Sequence, residues 1–99
     1  MDIMIIKHPS IGTFDIIGRR SDMIKDGEDM YNADAIGLVQ GKMIEMIVAA
    51  DIAEKAAGVF VKEIRGSCPQ NMILIAIFGD TSSVEAAIEK IKTKMGKEL

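Results

Sequence analysis

The most reactive side chain in this 99-residue sequence is its only cysteine, Cys68. It lies in the segment Arg65-Gly66-Ser67-Cys68-Pro69-Gln70, which is rich in turn-forming residues and separates two apolar runs. One thiolate per chain cannot build a metal cluster, which needs several thiolates, and it cannot form an internal disulfide. A chemical role for Cys68 therefore requires either ligands from other subunits or a nucleophilic thiol that acts alone.

The sequence around Cys68 does not favour a nucleophile. The only histidine, His8, is in an N-terminal turn, and no acid–base arrangement accompanies the cysteine. Asp80, Glu85 and Glu89 have the spacing of capping and helix-surface charges. No phosphate-binding loop or catalytic carboxylate pair is visible. We therefore predict that the protein is not an enzyme.

Composition excludes several classes of partner. The net charge is −3 and the longest basic run is Arg19-Arg20, so nucleic-acid binding is not expected. The longest apolar run, residues 72–78, has the length of a strand rather than of a membrane span. The N-terminus lacks the pattern of a signal peptide, and one unpaired cysteine fits a reducing cytoplasm. The hydrophobic fraction of 48% is high for a small domain and predicts subunit contacts.

The pattern of apolar residues predicts a single α+β domain over residues 1–99, with helices on one face of a largely antiparallel sheet. An extended hairpin over residues 1–20 is expected to precede a core at 33–96. The run at 72–78 is apolar throughout, which predicts a strand covered on both faces. Strands are predicted at 2–7, 13–17, 35–40, 59–64 and 72–78, and helices at 43–57 and from 82 to about 94.

Finer predictions concern the ends and faces of the two helices. Gly58 is expected to stop the first helix, and a capping box of Ser82 and Glu85 to begin the second. The first helix also carries a wide apolar stripe, extended by alanines, that is expected to lie between the sheet and a neighbouring element. This predicted apolar face consists of Ile44, Ile47, Val48, Ile52 and Ala56, extended by Ala49, Ala50, Ala53 and Ala57.

Five segments in order resemble the bacterial microcompartment shell domain, or BMC domain, over about residues 33–95. They are AIGLV at 35–39, AADIAEKAAGV at 49–59, Gly66-Ser67 in a turn, IAIFGD at 75–80 and SVEAA at 83–87. The resemblance implies a ferredoxin-like fold and flat homohexameric tiles. Such tiles join other shell proteins around an enzyme lumen in the bacterial cytoplasm.

One departure from the usual shell domain concerns its final strand, because the sequence stops at Leu99, too soon after the last predicted helix. The resemblance then implies the circularly permuted type, in which residues 12–19 would supply that strand. Residues 2–7 would form part of a small barrel over one mouth of the pore, where His8 could face the pore.

The resemblance also assigns roles to particular residues. The chain looks most like the iron–sulfur-binding pore variant of glycyl-radical propanediol-type microcompartments. Cys68 would then bind an iron–sulfur cluster of the 4Fe-4S kind that is shared by several subunits. Zinc is the alternative metal. Redox enzymes of the lumen would be possible partners. Lys55 matches a lysine at the hexamer edge, although it could simply pair with Asp51. The pore lining would be Gly66, Ser67, Cys68, Pro69 and Gln70.

Two other functions remain open at this point. The same ring could carry a cluster-free pore for small metabolites. Alternatively, the chain could be a small α+β regulator that binds a ligand as an oligomer, since many functions share such topologies.

Overall fold

The computed structural model describes residues 1–21, 30–56, 58–66 and 72–98. These residues form a four-stranded antiparallel sheet, three α-helices and one short 3-10 helix at Met30–Asn32. The α+β class predicted from the sequence is confirmed. In chain order the elements are β1 (Asp2–Lys7), α1 (Ile11–Arg19), β2 (Ala35–Lys42), α2 (Met43–Glu54), β3 (Val59–Ile64), β4 (Met72–Gly79) and α3 (Thr81–Glu98).

The sheet has the order β1-β2-β4-β3, so β2 and β4 are central and β1 and β3 are the edges. Strands β2 and β4 pair along their whole length, from Ala35 opposite Gly79 to Lys42 opposite Met72. All three pairings are antiparallel. The connection between β3 and β4 therefore lies at the end of the sheet where β2 leads into α2.

Apolar side chains cover both faces of the central strands. On one face, α2 and α3 pack against a cluster that includes Val39 and Ile77. On the other face, Phe14 and Ile17 of α1 pack against Phe78. The prediction that the strand at 72–78 is covered on both faces is therefore confirmed. The expectation that helices lie on one face only holds for the two long helices and is wrong for α1.

The N-terminal segment differs from the predicted extended hairpin, because residues 11–19 form a helix and not a strand. The hydroxyl of Ser10 caps this helix by accepting a hydrogen bond from the Thr13 amide at 3.2 Å. Phe14 and Ile17, one helical turn apart, are both buried. The fourth strand of the sheet is instead β1, which pairs with β2. Within the described residues, no strand before β2 is left to form the expected barrel.

The predicted apolar face of α2 is confirmed in part. Ala49, Ala53 and Ala56 are buried, and Ile52 packs against the core as expected. Ile44 and Ile47, by contrast, are 74% and 62% exposed, because the predicted face is wider than the part of the helix that the sheet covers. Small alanine side chains allow the helix to approach the sheet closely.

Helix α3 begins at a different cap than predicted. The Asp80 carboxylate accepts hydrogen bonds from the Ser83 amide at 2.8 Å and from the Ser82 hydroxyl at 3.0 Å, so Asp80 takes the role expected of Ser82. The Glu85 carboxylate pairs with Lys7 of β1 at 3.3 Å instead of closing a capping box. The cap thus follows directly from the end of β4 at Gly79.

Candidate functional site at the end of the sheet

The predicted pore turn joins the ends of β3 and β4. The last paired residues are Ile64 and Leu74, and Gly66 beyond them is exposed. Ser67, Cys68, Pro69 and Gln70 lie outside the described residues. The strands therefore locate the base of the turn, while the role of Cys68 stays a prediction.

Lys55 lies at the opposite end of the domain from this turn. It directly follows α2 and precedes the start of β3, whose six residues span roughly 20 Å before the turn begins. Its ammonium is 2.8 Å from the Asp51 carboxylate, and both side chains are mostly exposed. The plain ion pair expected from the sequence is thus present, and the position is compatible with an outer edge.

His8 also lies away from the turn. It follows β1 at the end where Lys7 is opposite Ala35, and Ala35 is opposite Gly79. Its backbone amide donates a hydrogen bond to the Asp34 carbonyl at 2.8 Å. The base of the predicted pore turn is at the other end of the same strands, and the expectation that His8 faces the pore stays a prediction.

Arg20, by contrast, lies at the base of the turn. The Arg65 amide donates a hydrogen bond to the Arg20 carbonyl at 2.6 Å, and the Arg20 guanidinium donates one to the Arg65 carbonyl at 3.3 Å. These bonds tie the end of α1 to the end of β3. Sequence reasoning missed this pairing because the two residues are 45 positions apart and nothing local signals their contact.

The outer face of α2 presents four large apolar side chains, here called the α2 stripe. Its members follow a helical spacing, so they lie on one side of the helix. A cleft of about 190 Å³ between α2 and strands β3 and β4 adjoins it, lined in part by Val61 and Ile73. Contiguous exposed apolar surface of this kind is typical of protein interfaces. The α2 stripe consists of Met43, Ile44, Ile47 and Val48.

The described part of the chain has no group of three or more His, Cys, Asp or Glu side chains placed to hold a metal ion. The same residues include no helix long and apolar enough to cross a membrane.

Comparison with known proteins identifies the fold and its relatives. The family model described as the BMC domain matches residues 35–99. The ligand-free GrpU microcompartment shell protein from Clostridiales bacterium 1_7_47FAA is 53% identical, with a TM-score of 0.76 over 97% of this chain and 93% of that chain. The ligand-free GrpU shell protein from Pectobacterium wasabiae is 30% identical, with a TM-score of 0.73 over 92% of this chain and 99% of that chain.

A more distant structure shares the fold alone. The fused permuted hexameric shell protein MSM0275 from the RMM microcompartment is 16% identical, with a TM-score of 0.72 over 96% of this chain and 45% of that chain. Comparison with curated proteins gave no significant match.

Proposed function

This chain belongs to the BMC-domain family of microcompartment shell proteins, and we propose that it forms homohexameric tiles with a pore lined by residues 66–70. In this proposal Cys68 thiolates from several subunits hold an iron–sulfur cluster at the pore. The family role is structural and not catalytic. The alternative of a small ligand-binding regulator is therefore not retained.

The exposed α2 stripe is the observation that carries the proposed assembly. A ring closed by rotation brings two different surfaces of the chain together at each contact. The stripe is on the β3 side of the domain, beside the cleft between α2 and β3. The opposite edge, β1, presents Met4 and Ile5 at 68% and 36% exposure. Packing of the α2 stripe against the β1 edge of the next copy would bury both apolar surfaces.

The two ends of the domain support a radial orientation of each subunit. The base of the turn, at Gly66, is at one end of β3, and Lys55 is beyond the other. A subunit whose turn points to the axis therefore has Lys55 at the perimeter of the tile. This arrangement agrees with the pore and edge roles that the sequence resemblance implies.

The cluster part of the proposal follows from the number of thiolate donors. One chain offers a single thiolate, whereas a [4Fe–4S] cluster takes four, so the residues fit a cluster only when copies of Cys68 surround one axis. A sixfold ring supplies more thiolates than the cluster uses, and binding would break the symmetry of the ring. The bound cluster would supply one-electron transfer at the pore. Zinc, which accepts three or four thiolates, is the competing occupant.

Anaerobic purification tests the cluster and the ring separately. We expect a brown protein with broad visible absorption, about four irons and four sulfides per ring, and a hexameric mass by native mass spectrometry. Cys68→Ser is expected to be colourless and still hexameric, while Ser67→Ala serves as the matched control and keeps the colour. Equal iron and sulfide in the wild-type protein and Cys68→Ser would overturn the cluster proposal.

The same measurements separate the remaining alternatives. Hexamers that stay colourless after cluster reconstitution would indicate a cluster-free pore for small metabolites. Zinc without iron or sulfide in protein purified anaerobically would indicate a zinc site. A monomer or dimer that never forms rings would contradict the assembly proposal.

A further inference from the structure

Two arginines from distant parts of the chain meet at the base of the β3–β4 turn. Arg20 directly follows α1 and Arg65 directly follows β3, and their backbones are joined by the hydrogen bond from the Arg65 amide to the Arg20 carbonyl. The Arg20 guanidinium donates one hydrogen bond to the Arg65 carbonyl oxygen. A guanidinium has five N–H donors, so this bond orients the Arg20 side chain without exhausting it.

An open cleft of about 420 Å³ lies beside this pair. Arg20 and Arg65 line it together with Met72 and Leu74, and among the lining residues that the structure describes Glu63 contributes the only carboxylate. Both arginines are exposed, so an anion can reach their guanidinium groups from solvent, and apolar side chains also line the cleft. The volume is in the range of small-molecule sites.

We propose that Arg20 and Arg65 form a binding site for a small carboxylate or phosphate anion at the base of the turn. Planar guanidinium groups suit these anions because they donate two parallel hydrogen bonds to a pair of oxygens. The chain as a whole is acidic, with 15 Asp and Glu against 12 Lys and Arg, so a pair of arginines in one cleft is a local feature and not a general one. The site uses one chain only and depends on neither the ring nor the cluster.

Methyl NMR of the full-length protein, titrated with inorganic phosphate or acetate, tests the site. Met72 and Leu74 line the cleft, so their methyl signals are expected to shift and saturate as the anion is added. In the double variant Arg20→Gln/Arg65→Gln, the apparent dissociation constant for the anion should rise about tenfold or more. The reason is that each lost hydrogen bond between a guanidinium and the anion removes a large part of the binding free energy. Saturation by phosphate alone would assign the site to phosphates, and saturation by both anions would assign it to oxyanions generally.

Matched variants separate specific binding from general charge. Arg19→Gln removes the same charge from the neighbouring exposed position of α1 and should leave binding within about twofold of the wild type. Glu63→Gln removes the carboxylate that repels an anion and should tighten binding. Glu63→Gln leaves both arginines in place, so its effect on anion binding can be measured even where the double variant does not fold.

Three results would overturn the proposal. They are the absence of saturable shifts in the wild-type protein, equal weakening by Arg19→Gln and by the double variant, and unchanged or weaker binding in Glu63→Gln. None of them bears on colour, on iron content or on the mass of the ring, so failure here is distinct from failure of the proposed function.

Discussion

Asp80 lies between β4 and α3, and its carboxylate caps the start of α3. The hydrogen bond from the Ser83 amide, with smaller contributions from the Ser83 and Ser82 hydroxyls, holds the pKa of Asp80 below its ordinary value. A carboxyl whose pKa is depressed in the folded state stabilises the fold when it is ionised. This stabilisation is complete above the unfolded aspartate pKa of about 3.9 and is lost as the pH falls through the folded pKa.

We therefore expect Asp80→Ala to lower the melting temperature at neutral pH. The difference from the wild type should shrink as the pH falls below about 3.9, because the wild-type carboxyl then becomes protonated and loses its advantage. Thermal unfolding followed by circular dichroism across this pH range measures the effect.

Ser82→Ala is the control that separates the two possible caps. The Asp80 carboxylate accepts a hydrogen bond directly from the Ser83 amide. Removal of the Ser82 hydroxyl should therefore lower the melting temperature less than removal of the carboxylate does. A larger loss of melting temperature in Ser82→Ala would show that the capping box predicted from the sequence forms in solution.

At the residue scale, the sequence predicted what depends on local composition. The Asp51–Lys55 pair was predicted from its spacing in the sequence, and the structure shows it. The turn around Cys68 was predicted in the same way, but it lies outside the described residues and stays a prediction. The contact of Arg20 with Arg65 was not predictable, because it depends on where the end of α1 meets the end of β3. Side chains brought together by tertiary structure leave no local pattern.

At the scale of elements, Gly58 marks the reversal between α2 and β3. Its φ is +83°, in the left-handed region that favours glycine, and an added Cβ would lie 2.6 Å from the Ser83 hydroxyl oxygen. Helix α2 itself ends at Glu54, before the predicted end at 57, so Gly58 directs the chain into β3 and does not directly cap the helix.

We expect Gly58→Ala to lower the free energy of unfolding by about 1–2 kcal/mol, from backbone strain and the contact with Ser83. Urea denaturation measures this change. Gly96→Ala is the matched control, because Gly96 is in α3 with open space around its Cβ position. There alanine should raise the free energy of unfolding by roughly 0.5–1 kcal/mol. Equal effects of the two substitutions would contradict the role of Gly58.

Helices and strands were predicted correctly where their pattern of apolar residues in the sequence is strong. Strands β2, β3 and β4 and the two long helices were predicted because apolar runs and turn residues define them. Helix α1 was missed because β-prone residues at 13–17 outweighed the Ser10 cap and the spacing of Phe14 and Ile17. The apolar face predicted for α2 was too wide: its alanines are buried against the sheet, whereas Ile44 and Ile47 are exposed.

At the scale of the whole molecule, the surfaces proposed for assembly lie on different sides of the domain. The turn is at one end of the sheet and Lys55 at the other, while the α2 stripe and the β1 edge are on opposite flanks. In the proposed ring, the base of the turn would face the axis, Lys55 would lie at the perimeter, and the two flanks would form the contacts. A charge placed in the α2 stripe should therefore disrupt assembly without disturbing the fold of each subunit.

We expect Ile44→Glu/Ile47→Glu to convert the ring to smaller species. Both side chains are mostly exposed in the single chain, so the substitutions remove little from its core, but a glutamate buried at a contact without a partner is costly. Light scattering coupled to size exclusion measures the mass, and circular dichroism checks the fold.

Ile11→Glu, at a 73% exposed position of α1 outside the α2 stripe, is the control and should remain hexameric. An intact ring in the double variant would show that the stripe is not the contact surface, and a ring broken equally by Ile11→Glu would show that general surface charge controls assembly.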